Sequence, residues 1–198
     1  MSIVPKLLHS AGASEEHYNS GNYIFREDGI PQFYYQILNG DVKLNNYSRD
    51  GKEVIQNIVS DGNCFGEAML FLNKKYPINA IALTECTIIK ISREKFLNLL
   101  DEHPHTALEI CAALSEKTYS RFVLMRKISS KNAVERITEL LKMLKESQEN
   151  KSKYSFEIPH TRQQLASLTG LCVETAIRAI KRMEANNDLQ IRNRKIFY

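Results

Sequence analysis

The chain has 198 residues, of which 43% are hydrophobic and 25% are charged, so it can form two modest globular domains. This composition excludes a disordered chain, and no apolar run approaches the roughly 20 residues that a membrane span needs. The formal net charge is +4, which by itself is too small to identify a ligand.

The N-terminal part of the chain reads as a β domain. Across residues 18–98, short runs of alternating apolar and polar residues are punctuated by glycines at intervals of roughly ten. The runs YYQILNGDVKL and KEVIQNIVSDG predict strands, with a hairpin turn at 49–52. Residues 80–91 predict a further pair of apolar strands. The N-terminus lacks the basic and then apolar order of a signal peptide, so we expect a cytoplasmic protein.

A heptad spacing over residues 103–128 predicts a long helix. Its seam begins at Ala107 and continues through the predicted dimer interface, which is Cys111, Leu114, Thr118, Arg121, Met125 and Ile128. Such a seam packs against a second helix, so it favours a homodimer. The alternative is that the seam packs only within one chain, but Phe122 and Ile110 already offer a neighbouring face for packing within the chain, which favours dimerisation through the seam.

A new helix is predicted to begin at Asn132, with a hinge near residues 129–132. Asn132 followed by Glu135 is typical of a helix start, and a buried face continues through Val134, Ile137, Leu141 and Leu144. The polar stretch SQENKSKYS after this helix predicts a loop.

Residues 161–184 predict two short helices separated by a glycine turn. Thr161 and Gln164 form a capping box, and Gly170 follows the first helix. The buried face of the second helix is Ala176, Ala179, Ile180 and Met183. Its opposite side presents charged residues, as in a helix-turn-helix whose second helix enters the DNA major groove. An ordinary helical hairpin with solvated charges is the alternative.

The C-terminal stretch LQIRNRKIFY predicts a small β-wing whose basic residues approach phosphates, with a solvated tail as the alternative. Net positive charge is concentrated in residues 131–198, which include this stretch. Residues 1–130 contain 14 Lys and Arg against 15 Asp and Glu, a sum of −1, whereas residues 131–198 contain 13 against 8, a sum of +5. This asymmetry supports the DNA-binding interpretation.

The order of these parts resembles the Crp/Fnr superfamily of bacterial transcription regulators from about residue 18 to the C-terminus. ILNGDV at 37–42 and DGKE at 50–53 are similar to the family's β-roll turns, FGE at 65–67 to its effector pocket, and LCVET at 171–175 with Arg178 to its recognition helix. The resemblance implies an α+β fold. A β-roll sensor domain, similar to the cyclic-nucleotide-binding jelly roll, is expected at 1–102, a dimerisation helix at 103–130 and a winged helix-turn-helix at 131–198.

The implied function is sequence-specific transcription regulation by a homodimer on an inverted repeat. Double-stranded DNA and RNA polymerase are the implied partners. The predicted base-reading residues are Val173, Glu174, Ile177 and Arg178, because Arg bonds guanine and Glu accepts from cytosine. The predicted phosphate contacts are Thr161, Arg162, Thr175, Lys181, Arg192, Arg194 and Lys195. Ile177 replaces a small polar residue that is common in the Fnr branch. Because an isoleucine can contact a thymine methyl group, the resemblance does not fix the exact DNA half-site.

The expected effector pocket departs from that of members that bind cyclic AMP. Its predicted residues are Gly66, Glu67, Ile78, Asn79, Arg121 and Phe122. The family's phosphate-gripping arginine is replaced by the stretch YPINA at 76–80, which removes a charge-assisted pair. Lys74 and Lys75 could substitute, although such lysines are more often solvated. We therefore expect no usual response to cyclic AMP and leave an unidentified small-molecule effector open.

Other sensing chemistry has little support in the sequence. No cysteine precedes Cys64 and the four cysteines form no CxxC pair, so neither an iron–sulfur cluster nor zinc is expected. His103 and His105 are better read as surface residues than as metal ligands. Cys111 could oxidise across the dimer seam, but it is more simply a small apolar residue.

The sequence gives less support to two other function classes. An effector-binding module that acts on a protein partner without DNA is the alternative, and the basic second helix argues against it. An enzyme is not expected, because the sequence contains no nucleophile–base pair, carboxylate dyad or phosphate-binding loop.

Overall fold

The computed structural model describes residues 3–48, 51, 53–72, 74–128, 132–146 and 148–198, with the backbone alone at 124, 127 and 128. The chain divides into two compact units, Met1–Lys117 and Thr118–Tyr198. No helix within the described ranges is long and apolar enough to cross a membrane.

Within the described residues, the N-terminal unit contains eight strands, two short α-helices, a 3-10 helix and the start of a long α-helix. The helices are α1 (Pro5–Ser10), α2 (Arg93–Glu102) and α3 (Pro104–Ile128), and a short 3-10 helix spans Glu67–Phe71. The strands are β1 (Ser14–Tyr18), β2 (Tyr23–Phe25), β3 (Phe33–Asn39), β4 (Asp41–Tyr47), β5 (Glu53–Ser60), β6 (Cys64–Phe65), β7 (Asn79–Ala82) and β8 (Cys86–Ser92).

These strands form two antiparallel sheets with the orders β1-β8-β3-β6 and β2-β7-β4-β5. Apolar side chains from both sheets pack together, including Ile37 and Ile88 from one sheet and Val42 and Ala80 from the other. The first sheet also buries its opposite face against α1, α2 and α3. Successive side chains of a strand point to opposite faces, so Ile88 and Ile89 enter different cores and both are fully buried.

This arrangement corrects two details of the sequence interpretation. The strands predicted within residues 80–91 do form as β7 and β8, but they lie in different sheets and do not pair with each other. Helices α1 and α2 were not predicted. The predicted β4–β5 hairpin forms, with Val42 opposite Val59, while residues 49, 50 and 52 of its turn lie outside the described residues.

As far as its residues are described, the C-terminal unit contains the end of α3, three further helices and a hairpin. Its helices are α4 (Ala133–Glu146), α5 (Arg162–Thr169) and α6 (Val173–Ala185), and its strands are β9 (Gln190–Arg192) and β10 (Lys195–Phe197). The Asn132 side chain accepts a hydrogen bond from the Val134 N–H at 3.0 Å, as expected at the predicted helix start. Residues 129–131 of the predicted hinge lie outside the described residues. The α+β fold class is confirmed.

Candidate nucleic-acid interface and effector pocket

Helices α5 and α6 form the predicted pair, joined by three residues. The Thr161 side chain accepts a hydrogen bond from the Gln164 backbone N–H at 3.2 Å, and the Gln164 side chain accepts one from the Thr161 N–H at 2.7 Å. This reciprocal capping satisfies two backbone donors at the start of α5 and confirms the predicted capping box. Gly170 ends α5 with a φ of 66°, a left-handed conformation that favours glycine.

Helix α6 has one buried face and one exposed face. The predicted buried face is confirmed, since each of its members is at most 5% exposed: Ala176, Ala179, Ile180 and Met183. Glu174, Arg178 and Lys181 are exposed on the other side. Val173 and Ile177 are half-buried, and Val173 packs against the core of the unit. The predicted base-reading residues thus lie on one helix, and the two charged ones, Glu174 and Arg178, are the most exposed to solvent.

Arg178 is oriented by its own helix. One of its guanidinium N–H groups donates to Thr175 Oγ1 at 3.3 Å, and that oxygen lies 2.9 Å from Cys172 Sγ. The hydrogen bond with Thr175 lowers the pKa of the Cys172 thiol, which stands at the N-cap of α6. Thr175 is half-buried, and its hydroxyl is already engaged within its own helix. Its predicted phosphate contact competes with these internal hydrogen bonds.

Four of the predicted phosphate contacts line one concave surface of the C-terminal unit, with a volume of about 380 Å³. They are Thr161, Arg162, Arg194 and Lys195. The Arg162 guanidinium donates to the Arg194 carbonyl at 3.1 Å and so connects the start of α5 to the hairpin turn. We call this surface the basic groove. It combines a helix start with basic side chains, both of which attract phosphate.

The predicted wing is confirmed as the β9–β10 hairpin. Asn193 and Arg194 occupy its turn with positive φ angles of 49° and 66°, the conformation that a tight type I′ hairpin requires. A third segment was missed by the sequence interpretation: the Ile158 N–H donates to the Ile196 carbonyl at 2.8 Å. This pairing beside β10 fixes the wing on the body of the unit.

Two cations of the wing already have contacts within the chain. Lys195 Nζ lies 2.6 Å from Glu157 Oε1 in an exposed ion pair, so a phosphate must compete with that carboxylate. Arg192 donates to the Gln190 side chain, and its guanidinium lies 5.3 Å from the Phe197 ring centroid. By contrast, no ion pair within the described chain involves Lys181 or Arg194.

Gly66, Glu67, Ile78 and Asn79 of the predicted effector pocket lie in the N-terminal unit, and the space beside Gly66 is filled. Gly66 has a φ of 73°, and a Cβ atom there would lie 2.9 Å from the Phe25 ring. Phe25 stacks on Tyr76 with ring centroids 3.7 Å apart. Burial raises the pKa of Tyr76 above its usual range, and its hydroxyl has no hydrogen-bond partner among the described residues. Ile78 packs against the same core, where aromatic rings occupy the space beside Gly66.

Glu67 is the buried charge of this region. Its side chain is 4% exposed, and its Oε1 atom lies 2.6 Å from Lys117 Nζ. Lys117 also donates to the Cys64 carbonyl at 2.9 Å. Both the carboxylate and the ammonium therefore have partners in the same unit, as a buried ion pair requires.

Lys117, which was not among the predicted pocket residues, is the residue of the long helix that contacts Glu67. Arg121 and Phe122 follow it by about one helical turn and are exposed, and their role in the effector pocket stays a prediction. Asn79 is buried and structural, because its Oδ1 accepts from the Glu27 N–H at 3.0 Å. The sequence did contain a signal for Lys117, because it lies four residues before Arg121 and therefore on the same face of the helix.

Helix α3 changes its surroundings along its length. Ile110 is 4% exposed and Leu114 is half-buried, and both contact the helix-side core of the N-terminal unit. Of the predicted dimer interface, the exposed members are Cys111, Thr118, Arg121 and Met125, while the Ile128 side chain lies outside the described residues. Phe122, assigned with Ile110 to an intrachain face, is 67% exposed. That assignment is wrong for Phe122, and Leu114 faces its own core.

His, Cys, Asp and Glu side chains are the possible metal ligands of the chain, and the cysteines are also its possible disulfide partners. Among the residues that the structure describes, no three or more His, Cys, Asp or Glu side chains are grouped so as to hold a metal ion. The cysteines are free thiols: Cys64 and Cys86 are buried, and Cys111 and Cys172 are exposed. Burial raises the pKa of the Cys64 thiol, which keeps it protonated.

Comparisons with known proteins match both units. Family models describe a cyclic nucleotide-binding domain at residues 15–103 and a Crp-like helix-turn-helix domain at residues 135–197. The cAMP-activated global transcriptional regulator CRP of Haemophilus influenzae is 26% identical over 155 residues, which cover 77% of this chain and 69% of that protein. The HTH-type transcriptional regulator ArcR of Staphylococcus epidermidis is 26% identical over 170 residues, which cover 85% and 74%.

A solved structure shows the same fold. The c-di-GMP responsive global regulator CLP of Xanthomonas campestris has a TM-score of 0.79 at 21% identity and covers 96% of this chain and 95% of its own. The first of these proteins is named for activation by cyclic AMP and the last for a response to c-di-GMP.

Proposed function

Because the chain belongs to the Crp/Fnr superfamily of DNA-binding transcription regulators, we propose that it binds an inverted-repeat DNA site as a cytoplasmic homodimer, without cyclic AMP and without enzymatic activity. The observation that carries the DNA contact is the exposed charged face of α6. Glu174, Arg178 and Lys181 lie on this face, whose opposite side is fully buried. Because its opposite side is buried, the helix cannot rotate, and the same charged side chains always face the DNA.

The basic groove supports phosphate binding in the same unit. Phosphate contacts position a protein on DNA, while contacts to base edges select the sequence. Arg162 and Arg194 are held together by a hydrogen bond, and the start of α5 adds the positive end of a helix dipole. Arg178 and Glu174 supply base readout, since Arg bonds guanine and Glu accepts from the cytosine amino group.

The homodimer is supported by the surface of α3. Leu108, Tyr119, Phe122 and Met125 are each at least 66% exposed in the single chain. A spacing of alternately three and four residues, which is typical of a coiled-coil seam, joins six residues on this surface: Leu108, Cys111, Ser115, Thr118, Phe122 and Met125. Pairing two copies along this seam covers these apolar side chains. A two-fold dimer then presents two α6 helices about one DNA turn, or roughly 10 base pairs, apart.

Fluorescence anisotropy with labelled duplexes tests this proposal. An inverted repeat selected from random sequence should bind as one dimer per duplex, and its affinity should fall steeply with salt, by about 0.9 in log K per log unit of salt for each phosphate contact. Changing the half-site spacing by about five base pairs should remove the preference, because the two α6 helices then face opposite sides of the duplex. Equal, salt-insensitive binding to every duplex, or no binding, would favour a regulator that acts on a protein partner.

The absence of a cyclic AMP response is proposed from the filled pocket. The Glu67 carboxylate already forms an ion pair with Lys117, and the stacked rings of Phe25 and Tyr76 fill the space beside Gly66. No arginine occurs between residues 67 and 80 to pair with a cyclic phosphate. Isothermal calorimetry should detect no binding of cyclic AMP at millimolar concentration, and DNA affinity should be the same with and without the nucleotide. Micromolar binding would contradict this part of the proposal and leave the DNA contact standing.

A further inference from the structure

A cavity of about 480 Å³ on the N-terminal unit contains none of the residues predicted for the effector pocket. It is lined by Ile30, Pro31, Leu72, Lys74, Lys75 and Arg93. Its volume lies within the range of roughly 300–1,000 Å³ that is usual for small-molecule sites. Lys74 and Lys75, considered as substitutes for a phosphate clamp, therefore line a surface different from the one that contains Glu67.

Three of the six lining side chains are cations, and none of the six carries a carboxylate. Lys74, Lys75 and Arg93 form no ion pair within the described part of the chain. Three like charges around one cavity repel each other, so the site favours an anion that neutralises them. Arginine adds a planar pair of N–H donors that matches a carboxylate or phosphate.

Two of the lining segments are joined by backbone hydrogen bonds. The Asp28 N–H donates to the Tyr76 carbonyl at 2.9 Å, and the Tyr76 N–H donates to the Gly29 carbonyl at 2.9 Å. These bonds flank Ile30 and Pro31 on one segment and Lys75 on the other. The Tyr76 ring is buried against Phe25, which anchors the connection in the core.

The third segment is tied to the other two through Arg93. Its backbone N–H donates to the Gln32 carbonyl at 2.7 Å, directly after Pro31. Its guanidinium Nε donates to the Leu70 carbonyl at 2.7 Å, two residues before Leu72. One guanidinium nitrogen is thus used to fix the side chain. The cavity is held in place before any ligand arrives, which lowers the entropy cost of binding.

The cavity also offers apolar surface. Ile30 is 71% exposed and Leu72 is 46% exposed, while Pro31 is buried and rigid. A fully hydrated inorganic anion gains nothing from such side chains, whereas a molecule with an apolar part does. From this combination of fixed cations and exposed apolar side chains, we propose that the cavity binds a small molecule that carries a phosphate or carboxylate group on an apolar body.

Calorimetry with the full chain and phenyl phosphate tests this inference. Saturable binding is expected, with weaker binding of inorganic phosphate, which lacks the ring, and of phenol, which lacks the charge. Benzoate identifies the preferred anion, because a tighter benzoate complex assigns the site to carboxylates. The variant Lys74→Gln/Lys75→Gln should weaken phenyl phosphate by about tenfold, since each exposed charge pair contributes up to about fivefold. Ile30→Ser should weaken phenyl phosphate but not inorganic phosphate.

Two controls separate this cavity from other basic surfaces. Lys6→Gln/Lys95→Gln removes the same charge from exposed positions that do not line the cavity, and it should leave the affinity unchanged. Arg162→Gln alters the basic groove and should also have no effect on phenyl phosphate. The inference is overturned if the unaltered protein shows no saturable binding, or if either control weakens binding as much as the Lys74→Gln/Lys75→Gln variant does.

Discussion

Two sets of charged side chains, one in each unit, differ in whether they have an internal partner. In the N-terminal unit, the Glu67 carboxylate is buried and lies 2.6 Å from Lys117. In the C-terminal unit, Arg178 and Lys181 are exposed and form no ion pair within the described chain. A buried carboxylate needs an internal partner because its desolvation costs several kcal/mol. The first pair is thus required by the fold, and the second set is available to an external partner.

The same contrast divides α3. Toward its N-terminus, Ile110 and Leu114 contact the core of their own unit. Farther along, Phe122 and Met125 are 67% and 66% exposed. Apolar side chains that lack an internal core are the ones expected to contact a second chain. Substitutions at both kinds of position test this distinction between internal and external partners.

Placing a charge on the exposed part of α3 should disrupt the proposed dimer. Phe122→Glu introduces an unpaired charge into an apolar interface, at a cost of roughly 3 kcal/mol or about a hundredfold in the dimer dissociation constant. Light scattering over a range of protein concentrations measures the change. Leu114→Glu is the matched control, because it should lower the stability of the N-terminal unit instead. A Phe122→Glu protein that stays dimeric would show that this seam is not the interface.

Removing the internal partner of Glu67 should destabilise the N-terminal unit. Lys117→Met leaves a buried carboxylate unpaired, and we expect a loss of about 1–3 kcal/mol in the free energy of unfolding, because the lysine itself is partly exposed. Urea unfolding followed by circular dichroism measures this loss, and adding Glu67→Gln should recover part of it. Lys142→Met, which breaks the exposed pair with Glu139, should cost less than about 1 kcal/mol. Equal losses in the two variants would remove the distinction.

On α6, removing one external contact should change sequence preference. Arg178→Ala should lower the affinity for the preferred site by about 1–3 kcal/mol and flatten the preference at one base pair. Lys181→Ala should weaken preferred and random sequences alike, since a phosphate contact carries no base identity. Anisotropy with a panel of single-base variants distinguishes the two effects. An unchanged preference in Arg178→Ala would refute its role in base readout.

The smallest effects are expected within the wing, where free and paired cations stand side by side. Arg194→Ala should lower the slope of log K against log salt by about one unit. Lys195→Ala should lower it less, because the Lys195 ammonium already pairs with Glu157 at 2.6 Å. Glu157→Gln should release that lysine and steepen the salt dependence. If Arg194→Ala and Lys195→Ala give the same slope, the ion pair does not restrict Lys195.

Local patterns were sufficient for the C-terminal unit. The capping box at Thr161, the turn at Gly170 and the buried face of α6 each depend on residues within a few positions of one another. Sequence therefore predicted α5, α6 and the β9–β10 hairpin correctly. Strands β3, β4, β5, β7 and β8 were also recognisable from their apolar runs, and the long helix from its change of period, whereas β1 was not predicted.

Only the tertiary structure decided which distant residues meet. Strands β7 and β8 follow each other in the chain but lie in different sheets, which local alternation does not specify. The partner of Glu67 is Lys117, fifty positions away, and no local pattern in the sequence specifies this contact. Likewise, a heptad spacing does not say which of its positions contacts the core of its own chain, as Leu114 does. The physical reason is that secondary structure follows from interactions between neighbours, whereas partner choice depends on how whole elements pack.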